Sequence, residues 1–194
     1  VCCQANWNFK NICSPFTRIY YVTRGQAQIL LPDKTLLLRA RHLYVVPAFT
    51  THSYICHEEF CHYYIHIYNE ADHDLLEDWM LPEEVEAADD TLAHIERLYE
   101  LCPGMELTQT DPQYYDNNTS ISQNILKNKQ RELYARIESR GIIYRLLAEI
   151  LRHAQPKPYA TDERITKVLS YIRTHLGEKT DLETLAAISC MTKD

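Results

Sequence analysis

Six side chains able to ligate a metal or exchange a proton crowd into fifteen residues of this chain: His52, Cys56, His57, Cys61, His62 and His66. Imidazole and thiolate suit soft and borderline cations, so a zinc-type or iron-type centre is the first chemistry to weigh. The spacing argues against it. Successive side chains of an extended strand point to opposite faces, which puts His62, Tyr64 and His66 on one face and Cys61, Tyr63, Ile65 and Ile67 on the other. No C-x-x-C or other paired zinc spacing occurs, and no metal is expected. The same residues could act as nucleophile and base, but nothing in the spacing brings them together. The second chemical signal is aromatic. Fourteen tyrosines in 194 residues supply stacking faces with polar tips. Beside imidazole and guanidinium donors they suit a pocket for a sugar or another small polar molecule. Enzyme signatures are missing: there is no G-x-S-x-G, no H-E-x-x-H and no glycine-rich phosphate loop among only four glycines. Neither an enzyme nor a bound cofactor is expected.

The elements that must position these residues are short strands. FTRIYYVTR, QAQILL, TLLLR, HLYVVP, HSYIC and FCHYYIHIY within 16–68 are β-branched or aromatic and separated by turn-like joints, with Pro32-Asp33-Lys34 as one turn. Strands at this spacing argue for a sandwich or barrel. After Asn69 the chain turns acidic. Pro82 is expected to open a helix carrying Val85, Ala88, Leu92, Ile95, Leu98 and Tyr99. Residues 103–120, rich in turn formers, read as a loop. Residues 121–153 read as a long helical segment with Leu126, Leu133, Ile137, Tyr144, Leu147 and Leu151 on one seam, and Gly141 as a candidate break. A helix apolar on two faces is covered on both. Here the second face meets either a partner subunit, giving a homodimer, or the helix expected over 83–101. Gln155-Pro156-Lys157-Pro158 reads as a stiff linker.

The last stretch carries another signal. Ile165, Val168, Leu169, Ile172 and Leu176 form one apolar stripe, started by Thr161 and Asp162 and stopped by Gly177. A second helix opens at Thr180 with Glu183 three residues on, a capping box, and presents Leu182, Leu185, Ala186 and Ile188. Thr192 is a candidate N-cap for a third helix. This is the beginning of a helix-turn-helix, ending where the recognition helix would start, or else an ordinary helical hairpin. Charge follows the same division. Residues 1–120 hold 7 Lys/Arg against 18 Asp/Glu, and residues 121–194 hold 13 against 9. A net charge of −7 argues against a simple nucleic-acid binder, whereas an acidic front and basic back suit a sensor followed by a DNA-binding start. No apolar run approaches the ~20 residues that span a bilayer. Seven scattered cysteines without C-x-x-C fit a reduced, cytoplasmic setting.

Two motifs resemble the AraC/XylS family of bacterial transcription regulators. RITKVLSYIRTHLGEKTDLETLAAISCMTKD is similar to the family's first helix-turn-helix. VTRGQAQILL followed by LRARHLYVVPAFTTHSYI is similar to its cupin-like sensor. The resemblance implies an α+β fold: a cupin-like double-stranded β-helix barrel over 1–70, a helical dimerisation segment over 71–154, a linker over 155–161 and a partial helix-turn-helix domain over 162–194. It implies a small effector, often a sugar, bound in the barrel, and a homodimer of the full-length protein on promoter DNA, with no membrane partner. The recognition helix would begin near Thr192, so no DNA-contacting residue is named. Metal-binding cupins carry Pro-x-Gly-x-x-His; Pro47 and His52 match, but Phe49 replaces the glycine. Their metal-binding glutamate corresponds to Arg18, and a cation there opposes a metal. Arabinose-sensing members place ligand contacts at positions matching Arg24, His52, Tyr54, His62 and Tyr64, and strand parity adds Arg18, Tyr20 and His66. Two alternatives stand beside this: a metal-dependent cupin enzyme using His52, His62 and His66, and a dimerisation module without a ligand.

Overall fold

The computed structural model describes residues 2–3, 7–68, 79–107, 109–157, 162–175 and 181–191. In chain order the strands are β1 (Cys2–Cys3), β2 (Phe9–Ile12), β3 (Thr17–Gly25), β4 (Ala27–Leu30), β5 (Thr35–Leu38), β6 (His42–Val46), β7 (His52–Ile55), β8 (Phe60–Ile67), β9 (Trp79–Met80), β10 (Glu84–Glu86) and β11 (Gln155–Pro156). The helices are α1 (Thr91–Leu101), α2 (Pro112–Tyr115), α3 (Asn118–Gln130), α4 (Leu133–Leu151), α5 (Glu163–Thr174) and α6 (Leu182–Ser189). They divide into two compact units, one drawn from 1–68 and 81–154, the other from 69–80 and 155–194.

The first unit is mixed α+β, with two antiparallel sheets ordered β1-β8-β3-β6-β10 and β2-β7-β4-β5. All six strands expected from the sequence are present. The sheets face each other across one core: Tyr20, Val22, Tyr44, Val46 and Phe60 from the larger sheet, Ile12, Ala27, Ile29, Leu38 and Tyr54 from the smaller. The other face of the larger sheet is buried too, through Ile19, Tyr21, Leu43 and Val45. It lies under α1 and α4, which bring Ile95, Leu98, Ile142, Leu146 and Ile150; Tyr63 on that face meets Tyr99 of α1 edge-on at 6.3 Å. A strand covered on both sides needs no polar alternation, which is why β3 reads TRIYYV. Each fully buried Ile or Leu contributes roughly 1.5–3 kcal/mol.

Several local expectations are corrected. Residues 84–86 do not join a helix from Pro82. Val85 is buried opposite Leu43, and β10 completes the edge beside β6; an in–out alternation of Glu-Val-Glu suits an unfilled sheet edge better than a helix turn. The helix starts at Thr91. The segment 103–120 is not all loop: Asp111 accepts from Gln113 N at 3.0 Å and caps α2, with Pro112 in its first turn, and Asn117 caps α3 through Ser120 N. The break in 121–153 falls at Arg131 and Glu132. There the Arg131 guanidinium donates to Leu101 O at 2.7 Å and to Ser139 Oγ at 2.6 Å. Gly141 lies inside α4 with open space around it. Cys2 and Cys61 are bonded as a disulfide, so the expected reduced state fails for this pair; a separation of 59 residues carries no sequence signal for it.

In the second unit, β9 pairs with β11, so Gln155 and Pro156 of the expected linker lie in a strand. Helices α5 and α6 pack together. Asp162 caps α5 through Arg164 N at 3.0 Å. Asp181 caps α6, accepting from Thr184 N at 2.8 Å. Cys190 ends α6 in the left-handed region at φ 52°. Gly177, Thr180 and the Thr192 cap lie outside the described residues.

One buried carboxylate ties the helices of the first unit together. Glu149 of α4 accepts from Ala88 N at 2.8 Å and from Thr91 Oγ1 at 2.9 and 3.0 Å. The side chain of Asp90, the α1 N-cap residue, makes no capping bond; Glu149 binds the turn before α1 and the Thr91 hydroxyl, and places a favourable charge at the helix start. Glu149→Ala should therefore cost about 2–3 kcal/mol in urea unfolding, with Glu149→Gln losing less. An unchanged midpoint for the alanine variant would contradict this role.

Candidate functional site

Between the two sheets, Tyr20 of β3, Tyr54 of β7 and His62, Tyr64 and His66 of β8 face a common cavity of about 20 Å³. Trp7, Leu107, Thr110 and Tyr115 close it. A space of that size holds about one water molecule, so the aromatic side chains largely fill the interior themselves. Trp7 stacks on Tyr54 at 4.2 Å and meets Tyr20 edge-on at 6.3 Å. His62 stacks on Phe60 at 4.5 Å, and His66 stacks on Tyr115 at 5.3 Å. The β3–β8 register assembles this wall, setting Arg18 opposite His66, Tyr20 opposite Tyr64 and Val22 opposite His62.

A directed hydrogen-bond chain runs through it. His52 Nδ1 lies 2.7 Å from Thr50 O, and a carbonyl can only accept, so Nδ1 carries the proton. Burial lowers the His52 pKa to about 4, so the ring is neutral and Nε2 accepts from Tyr54 OH at 2.7 Å. Tyr54 then accepts from Tyr20. The other cavity histidines are neutral as well: burial takes His62 to about 3, and burial followed by the charge of Arg18 takes His66 well below its usual value. Burial raises the tyrosine pKa values, Tyr54 most strongly. Tyr64 OH accepts from Leu107 N at 2.6 Å, tying the segment before α2 to the wall.

Formal charge enters at one end. Arg18 is fully buried, with its guanidinium 4.8 Å from the Phe16 ring centroid and 5.7 Å from that of Tyr115. Its Nη2 donates to Asp116 Oδ2 at 3.2 Å and to Ser14 Oγ, and Ser14 donates to the same carboxylate.

Of the eight residues expected from the sequence, Tyr20, Tyr54, His62, Tyr64 and His66 line the cavity. Arg18 and His52 sit directly behind it. Arg24 is not brought there. The β3–β8 register shifts between Val22 and Arg24, a bulge that reverses facing, and Arg24 pairs with Glu59 on the exposed end of the sheet. The turn that follows needs Gly25, at φ 74°, because a Cβ there would collide with the carbonyl of Glu59. The replaced glycine of the Pro47–His52 motif leaves its mark: Phe49 keeps the left-handed turn at φ 60°, held by Phe49 N to Ser14 O at 2.7 Å. His52, His62 and His66 do not converge as metal ligands, and both His52 nitrogens are engaged. Among the described residues the one group of three metal-capable side chains is Cys2, Glu59 and Cys61. Its thiols are joined as a disulfide and Arg24 stands 3.6 Å from Cys61 Sγ. Sequence reading missed Trp7, Leu107, Thr110, Tyr115 and Asp116. For the last two the available signal was Asp111-Pro112, an N-cap followed by proline.

Three buried neutral histidines have a measurable consequence. The unfolded chain binds their protons below about pH 6.5, whereas the folded chain refuses them down to about pH 4 or lower. Their contribution is fully present above pH 6.5 and is lost as pH falls. Urea unfolding should show stability dropping by roughly 4–6 kcal/mol between about pH 7 and 5, and His62→Phe should flatten the slope by up to one proton. A stability independent of pH over that range would refute neutral histidines.

No curated protein matches this sequence. Among solved structures the chain is similar to AerE from Microcystis aeruginosa, with 19% identity, 34% of this chain and 32% of that chain covered, and a TM-score of 0.31. It is also similar to ethanolamine utilization protein Q from Salmonella typhimurium, with 13% identity, 30% and 51% covered, and a TM-score of 0.27. For apo ToxT from Vibrio cholerae the identity is 10%, the coverage 96% and 66%, and the TM-score 0.44. The chain thus spans between about a third and two thirds of the length of these proteins, and at such TM-scores the likeness says nothing of ligand or activity. The family described as the AraC-like ligand binding domain matches residues 3–169, a span that contains every residue lining the cavity, and the chain belongs to that family.

Proposed function

We propose that this chain is the sensing part of an AraC-type transcription regulator, in which a small molecule enters between the two sheets and alters how the full-length protein engages promoter DNA. The observation that carries this reading is the cavity itself. Within a ligand-binding family domain, both sheets and the α2 region turn neutral tyrosines and histidines toward one space. Such groups hydrogen-bond and stack on a guest without demanding its charge. The small volume means that a guest displaces part of the aromatic filling, which couples occupancy to conformation. A sugar or another small polar molecule fits the hydroxyl and imidazole lining.

Two further parts belong to the proposal. On α4, Leu133, Ile137 and Tyr144 fall on one face and are all more than half exposed, opposite the buried Ile142, Leu146 and Ile150. Leu126 of α3 is exposed as well. This supports a homodimer through the α3–α4 surface. The capped pair α5 and α6, on the basic portion of the chain, supports the first two helices of a helix-turn-helix, with recognition supplied by residues beyond Asp181–Met191. Such a regulator works in the cytoplasm, where promoter DNA is.

Sedimentation equilibrium tests the dimer: the wild type should be dimeric at micromolar concentration, and Ile137→Glu monomeric with unchanged circular dichroism. A monomeric wild type sinks the dimer surface. For DNA, a gene product extended through the recognition helices should shift promoter fragments, and this chain alone should not. Sequence-specific binding by the 194-residue chain would contradict the assignment of α5 and α6.

A further inference from the structure

We infer that the guest carries a carboxylate, which docks on the guanidinium of Arg18. The inference rests on the effector-binding reading above and narrows it from a small polar molecule to an organic acid. Arg18 is fully buried, and a guanidinium has five N–H donors and cannot shed its charge. Only Nη2 is engaged, by Ser14 and Asp116. Nε and Nη1 have no acceptor among the described residues. Both forks of the group, Nε with Nη2 and Nη1 with Nη2, are therefore half used. Buried donors are satisfied in nearly all native proteins, and an unsatisfied one calls for a missing partner. A planar acceptor with two oxygens is what completes a guanidinium fork.

The surroundings fix the rest of the guest. His66, the cross-strand neighbour of Arg18, and Tyr115, whose ring lies 5.7 Å from the guanidinium, both line the cavity. Arg18 thus stands behind the part of the wall made by His66 and Tyr115, and the body of a bound acid would lie among Trp7, Tyr20, Tyr54 and Tyr64, an aromatic environment with hydroxyl tips. No charged side chain lines the cavity itself, so Arg18 behind it matches one carboxylate and a second is left unmatched. Asp116 shows the exchange that makes room. It is the carboxylate that meets Arg18 in this structure, and it sits at the C-terminal end of α2. An incoming acid that replaces it leaves the charge count at Arg18 unchanged and frees α2, with Tyr115, from the wall.

The test uses the full chain with Trp79→Phe, so that Trp7 alone fluoresces. The probes are hexanoate and 3-phenylpropionate, each beside its primary amide, with L-arabinose and D-glucose as neutral sugars. At least one acid should raise the melting temperature and change Trp7 emission, with its amide at least about tenfold weaker. Which acid responds distinguishes an aliphatic from an aromatic guest. Asp116→Asn, which removes the internal competitor, should bind that acid more tightly. The double variant Arg18→Gln with Asp116→Asn, which leaves no unpaired charge to unfold the core, should lose the response while keeping wild-type circular dichroism. Equal binding of acid and amide overturns the inference, as does a double variant that still responds to the acid. Sugar binding that survives in the double variant also overturns it while leaving the effector pocket standing. Silence toward every acid and sugar, in both the wild type and Asp116→Asn, overturns the inference and the effector reading together.

Discussion

Strand β3 lies between β6 and β8 with both of its faces buried, and the first unit depends on how it is registered against those neighbours. Tyr20 sits between Tyr44 and Tyr64, and Arg18 between Val46 and His66. Side chains in a strand alternate, so a slip of one residue would send Arg18, Tyr20 and Val22 under the helices and bring Ile19 and Tyr21 into the cavity. No continuous change leads from one arrangement to the other. Burial on both sides makes the slip prohibitive, because it would place a guanidinium against the apolar faces of α1 and α4. The same pairing fixes where the pattern ends. The bulge between Val22 and Arg24 turns the last residues of β3 outward, toward Glu59.

Given that register, the interior must satisfy its own polar groups. Water is largely excluded, so each hydroxyl and imidazole needs a protein partner. The chain from Tyr20 through Tyr54 and His52 to the carbonyl of Thr50 solves this with one direction of donation and no net charge. Burial keeps the histidines unprotonated and the tyrosines protonated, which is the state the chain requires. The charged pair Arg18–Asp116 lies at the margin of this neutral region and links β3 to α2. Its hydrogen bonds with Ser14 make a triangle in which the carboxylate is better satisfied than the guanidinium. A pair of this kind gives little net stability against its desolvation cost but holds a definite geometry.

Much of the site was legible before the fold. The run FCHYYIHIY gives His62, Tyr64 and His66 one face by alternation alone, and TRIYYV does the same for Arg18 and Tyr20. Their convergence with Tyr54 required only that two sheets oppose each other, which six short strands imply. Arg24 was misplaced because a bulge inserts one residue without any signature in VTRG beyond the glycine that follows. Val85 was placed in a helix because its spacing to Leu92 and Ile95 fits 3.6 residues per turn, whereas the open edge of β6, far away in sequence, offered it a better partner. Tyr115 and Asp116 lay in a stretch whose turn-forming residues proved to be helix caps, at Asp111 and Asn117. Capping and turning use the same side chains, and only the chain's path tells them apart.

The amino-acid sequence by itself determined the strands of 17–67, the inward set on β3 and β8, the Asp162 N-cap of α5 and the family, because alternation, β-branched content and capping chemistry act over a few residues. Tertiary structure alone decided the Cys2–Cys61 bond, the strand at Val85, the hydrogen bonds of Glu149 to Ala88 and Thr91, and the meeting of Arg18 with Asp116 and Trp7 with Tyr54. Each of these joins residues tens of positions apart. No local preference encodes such a contact; it exists only once the two sheets and the helices have closed on a common core and excluded water from it.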